Sequence, residues 1–196
     1  MFPRDTYVAR RNALMSRFDG GLLLFLGHND SPMNYADNPY HFRQDSSFLY
    51  YFGLDQADLA AVIDVDAGTT TVFGDELSID YIVWKGDLPT ISARAERVGV
   101  SDTRPRGALA EIMGRAISAG RAIHFLPPFR AETKLLLTEL LGVAHDEANT
   151  EASTELIKAV VGQRNYKSQE EVAEIERAVG TSVAMHEAGI RMARPG

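Results

Sequence analysis

The chain has 196 residues, 45% of them hydrophobic and 24% charged, with a formal net charge of -7 and no cysteine. At that length a chain buries roughly 70% of the surface its unfolded form exposes, so a core needs no disulfide or metal staple. The missing cysteines exclude disulfide frameworks, thiolate metal sites and thiol nucleophiles, and the acidic balance argues against nucleic-acid and anionic-membrane partners.

The opening Met1-Phe2-Pro3-Arg4-Asp5 has no apolar stretch behind it and does not read as a secretory signal. Tyr7, Val8, Leu14, Met15 and Phe18 recur at helical spacing, and Gly20-Gly21 ends the helix they predict. Leu22 to Leu26 is an apolar run bounded by glycines, the pattern of a strand covered on both faces. No apolar run approaches the ~20 residues of a membrane helix, so a cytoplasmic protein is expected. Residues 27–40 form a turn-rich loop. Phe48, Tyr50 and Phe52, alternating with Leu49 and Tyr51 ahead of Gly53, predict a strand. Two more strands are predicted over 59–65 and 69–73, joined by a hairpin at Asp66-Ala67-Gly68, where glycine tolerates positive φ. From Leu77 to Trp84 the pattern leaves helix and loop both open.

The period then changes. Residues 91–98 and 108–117 read as helices, the second with Leu109, Ile112, Met113 and Ala116 on one stripe. Residues 121–126 read as a strand stopped by Pro127-Pro128, and 130–141 as a helix ended by Gly142. Helices interleaved with strands imply an α/β domain, a sheet covered by helices. After Glu147 no strand is plausible: 155–161 is a short helix, and Ser168-Gln169-Glu170-Glu171 is a capping box. The helix it opens carries Val172, Ile175, Val179, Val183 and Ile190 on one face to about residue 193. We expect a domain over 1–161 and, over 162–196, the start of a second one whose remainder is absent.

Motifs of known chemistry are missing: no H-E-x-x-H, no G-x-S-x-G, no P-loop and no G-x-G-x-x-G. His28, Asp30, Asp37 and His41 share one loop and have metal-ligating side chains, against the plain reading that loops are polar. His124 and His186 lie on apolar faces and read as packing histidines. Asp64 and Asp66, two apart on a strand, project to one side and make either an acid–base pair or an ordinary strand end. Asp45-Ser46-Ser47 beside Arg43 lacks the neighbouring base a nucleophilic serine needs. The single tryptophan, Trp84, reads either as a packing anchor or as a plate against which a substrate or a second subunit packs.

Two stretches resemble a known family. The 41–53 run, His-Phe-Arg-Gln-Asp-Ser-Ser-Phe-Leu-Tyr-Tyr-Phe-Gly, is similar to the signature that enters a central strand in the N-terminal domain of Xaa-Pro aminopeptidases (aminopeptidase P). Residues 2–11, with paired Arg10 and Arg11, resemble that family's usual start. Arg164-Asn165-Tyr166-Lys167-Ser168-Gln169-Glu170-Glu171-Val172 resembles the opening of its catalytic domain, and Arg194-Pro195-Gly196 the close of the first long helix there.

The resemblance implies an N-terminal lobe of the creatinase type, a mixed sheet flanked by helices, followed by the first helices of a truncated pita-bread domain. It implies a peptide substrate with proline in second position and a homo-oligomer. Two divalent metal ions, expected to be manganese, are implied for the absent catalytic domain, where a bridging hydroxide attacks the bond before proline. No cofactor, metal ligand or catalytic residue is expected within this stretch, which alone should be inactive. Trp84, in Val83-Trp84-Lys85-Gly86, matches a tryptophan that in oligomeric members reaches the substrate site of an adjacent subunit. Arg43, Asp45 and Tyr50 match positions read as structural, through an ion pair and an aromatic contact. Alternative readings on the same scaffold are a proline dipeptidase (prolidase) and a non-catalytic binding module.

Overall fold

The computed structural model describes residues 2–35, 37–77, 83, 86 and 89–195. Among them the elements run α1 (Arg4–Met15), β1 (Leu22–Leu26), α2 (Ser46–Phe52), β2 (Ala60–Asp64), β3 (Thr69–Phe73), α3 (Ile91–Glu96), β4 (Asp102–Arg104), α4 (Ala108–Ser118), β5 (Ile123–Phe125), α5 (Ala131–Leu141), α6 (Thr154–Asn165) and α7 (Gln169–Met192). The chain divides into two compact units, 1–160 and 161–196.

The first unit is a five-stranded mixed sheet in the order β4-β3-β2-β1-β5. β1 runs parallel to β5 and β3 parallel to β4, while β2 is antiparallel to both of its neighbours. Four strands therefore point one way and only β2 is reversed. The β2–β3 hairpin forms as expected, pairing Asp64 with Thr69 around Gly68 at φ +64°.

Period-two projection sorts β1 between two layers. Leu23 and Phe25 face a core shared with Leu14 of α1, Phe48, Tyr51 and Phe52 of α2, Ile91 of α3 and Leu156 of α6. Leu22 and Leu24 face the opposite core with Leu109 and Met113 of α4 and Leu137 of α5. Each fully buried leucine contributes about 2 kcal/mol of apolar transfer, and its coverage on both sides explains the unbroken apolar run.

The 48–52 segment is a helix, not the strand its alternating aromatics suggested. Its buried residues are Ser47, Phe48, Tyr51 and Phe52, a helical repeat with no two-residue alternation. Asp45 caps the N-terminus, its carboxylate accepting from the amides of Ser47 and Phe48 at 2.9 and 2.8 Å. Gly53 closes the other end at φ +61°. A run apolar on every side satisfies both periods, and the two caps decide in favour of the helix. The short polar strand β4 was not apparent from the sequence either; Asp102–Arg104 joins the sheet by pairing with β3.

Two arginines of α1 fasten α2. Arg11 is 3% exposed and donates to the Tyr51 carbonyl at 2.8 Å, to Val98 at 2.6 Å and to Gly99 at 3.1 Å. Arg10 donates to the Tyr50 carbonyl at 2.8 Å and stacks 3.9 Å over the Tyr50 ring. Burial, with Arg4 nearby, lowers the Arg11 pKa to about 10, still far above neutrality. The second unit holds the end of α6 and all of α7, whose Ser168–Glu171 capping box forms as the sequence predicts.

Replacing Arg11 by methionine strands three carbonyls, two of them in buried hydrogen bonds, and is expected to cost about 3 kcal/mol in urea unfolding. Gly53→Ala would place a Cβ 2.4 Å from the Tyr7 ring at a left-handed position, with an expected loss of about 2 kcal/mol. Gly114→Ala, in open space within α4, should instead gain about 0.5–1 kcal/mol.

Candidate functional site

Several residues singled out by chemistry, Asp45, Asp64, Asp66, His28 and His124, have structural partners. Asp64 and Asp66 both grip Arg121: its guanidinium meets Asp64 at 2.9 and 2.6 Å and Asp66 at 2.5 Å. Asp66 also accepts from the Gly21 amide at 3.1 Å. The Arg121 guanidinium holds the Asp64 carboxyl below its ordinary range. The Gly21 amide and then Arg121 do the same for Asp66. A pair kept ionised on both sides is a clamp between the β2–β3 hairpin and the start of β5, not a general acid with its base.

His124 likewise packs, its Nδ1 2.8 Å from the Ser153 hydroxyl and its ring edge-on to Phe18. His186 is exposed on α7. Asp45 is the cap of α2, which places Ser46 and Ser47 in that helix's first turn. Among the described residues Asp45 makes no ion pair with Arg43; the His28 Nε2 lies 3.9 Å from its Oδ2. His28 is 8% exposed, with Nδ1 2.9 Å from the Arg43 carbonyl. Among the described residues no group of three or more His, Asp or Glu is placed to hold a metal. Trp84 lies outside the described residues.

The motif residue whose role the sequence did not reveal is Gln44. It is 2% exposed, and its Oε1 accepts from the amides of His28 at 2.7 Å and Asp45 at 2.9 Å. Its Nε2 donates to the carbonyls of Leu54 at 3.4 Å and Gln56 at 2.7 Å. One amide side chain thus ties the end of β1 to both ends of α2, because a glutamine offers donor and acceptor together.

Strand direction gathers the loops around a cleft. With four strands parallel and β2 reversed, the segments after β1, β3 and β4 and the one before β2 all lie at the same end of the sheet. There they enclose a cleft of about 1130 Å³, lined by Asp30, Tyr40 and His41 after β1, Asp55 and Asp58 before β2, Asp75 and Glu76 after β3, Arg106 after β4, and Glu139 of α5. An open α/β sheet characteristically receives ligands at the carboxyl ends of its strands.

The lining is acidic but internally braced. Asp75 accepts from the Arg106 amide at 2.9 Å, and Glu76 receives the Ile91 amide at 2.9 Å at the start of α3. Asp58 sits at φ +62°, rare for a side chain other than glycine. Desolvation first, then Asp30 and Asp75, raise its carboxyl pKa, with Arg106 opposing them. Burial lowers the Arg106 pKa, against the pull of Asp58, Asp75 and Glu139. The sequence signal for this cleft was only acidic residues scattered over separate loops.

Several known proteins resemble this chain. A family model described as "Aminopeptidase P, N-terminal domain" matches residues 7–124. The "Probable Xaa-Pro aminopeptidase" of Blastomyces gilchristii is 25% identical over 180 residues, 91% of this chain and 34% of that protein. The Xaa-Pro dipeptidase of Homo sapiens is 27% identical over 94 residues, 48% of this chain and 19% of that protein. Among solved structures, Pseudomonas aeruginosa aminopeptidase PepP superposes with a TM-score of 0.79 at 22% identity, covering 100% of this chain and 46% of the other. The low-pH form of Escherichia coli aminopeptidase P gives 0.78 at 20% identity, with the same coverage. These structural likenesses establish the fold. The chain spans about a third of the length of the first of these curated relatives and less than half of the solved ones.

The electrostatics carry two predictions of opposite sign. Asp64 and Asp66 have folded pKa values below the unfolded 3.8, so their contribution is present above that pH and lost as pH falls through the folded values. Arg121→Met should therefore lower the urea midpoint at pH 7, and that loss should shrink as pH falls below 3.8. Asp58 has a raised pKa, so its ionisation penalises folding progressively as pH rises from 3.8 through the folded value. Asp58→Asn, which keeps a residue tolerant of the left-handed backbone, should raise the urea midpoint at pH 7 and leave it unchanged at pH 3.

Proposed function

The chain belongs to the aminopeptidase P N-terminal domain family, and from that premise we propose that it is the N-terminal lobe of a metal-dependent aminopeptidase releasing the first residue of Xaa-Pro peptides. The observation that carries this reading is the family match over 7–124, on a five-stranded sheet flanked by helices that superposes along its whole length on two bacterial aminopeptidases P. In this reading 1–161 form the N-terminal lobe and 162–196 open the catalytic lobe. The relatives are two to three times longer than the part matched, which leaves room for a catalytic lobe of their own.

The proposed chemistry uses two divalent ions, manganese in the first instance, to generate the attacking hydroxide. The described residues offer no ligand set for such a centre, so no catalytic step is assigned to them. What the lobe contributes instead is control of substrate access to the parent enzyme's catalytic lobe and a surface for assembly into a homo-oligomer in the cytoplasm. No helix among the described residues is long and apolar enough to cross a membrane. A second reading, the N-terminal lobe of a proline dipeptidase, draws support from the similarity to Xaa-Pro dipeptidases over about half of the chain.

Assays on proline peptides with added manganese separate these readings. The 196-residue chain alone is expected to release nothing, and turnover by it would overturn the assignment. The intact enzyme should cleave Xaa-Pro tripeptides; activity restricted to Xaa-Pro dipeptides would select the dipeptidase. For Trp84, proposed to pack against substrate in an adjacent subunit, Trp84→Ala in the intact enzyme should raise KM about fivefold or more, near 1 kcal/mol of lost aromatic contact. Unchanged KM and kcat would sink that role.

A further inference from the structure

We draw no further inference here: the strongest candidate, the cleft at the carboxyl end of the strands walled by Asp30, Asp58, Asp75 and Glu139, is an acidic cluster, and nothing in the structure shows what would occupy it.

Discussion

A buried guanidinium holds the first unit together. Arg11 carries a charge into an almost fully excluded site and spends it on carbonyls from α2 and from the turn after α3. Those groups sit 40, 87 and 88 residues away along the chain, so one side chain closes two segments against α1. Its charge survives burial because the carbonyl oxygens face it, whereas an unpartnered charge there would carry a large desolvation cost. Arg10 repeats the arrangement one residue earlier, holding the Tyr50 carbonyl and stacking on the Tyr50 ring. The two arginines thus set where α2 ends, and α2 in turn supplies the aromatic filling under β1 and β2.

From that anchoring the geometry of the far end follows. Gln44 ties the loop after β1 to the segment before β2, and Asp45 starts α2 beside it. The reversal of β2 within an otherwise parallel sheet then brings four connecting segments to one end, where their carboxylates meet around Arg106. At the opposite end, Arg121 clamps the hairpin carboxylates. At the cleft end Asp75 accepts from the Arg106 amide, so hydrogen bonds to carboxylates brace both ends of the two apolar layers. Asp64 and Asp66, which the sequence offered as an acid–base pair or a strand end, are consumed by this bracing, and Asp45 by the cap of α2.

The α/β class, the apolar strand β1, the β2–β3 hairpin, the helices α4 and α5 and the capping box of α7 were all legible in the sequence, because each rests on local periodicity or turn chemistry. The motif around 43–53 was legible as a family resemblance, yet its conformation was not. Phe48 to Phe52 is apolar at every position, so neither period stands out, and only Asp45 and Gly53 distinguish helix from strand. Asp64 and Asp66 read either as an acid–base pair or as a strand end, and it is Arg121, 57 residues from Asp64, that makes them a clamp. That partner has no local signature, and neither has the cleft, whose walls come from separate loops and helix ends.

The sequence by itself determined the α/β class, most element positions and the family, since backbone propensity, burial period and motif order are properties of neighbouring residues. Tertiary structure decided what the polar side chains do. A carboxylate, an arginine or a glutamine acquires its role from whichever distant donor or acceptor the folded chain brings within about 3 Å, and strand order and direction choose that partner.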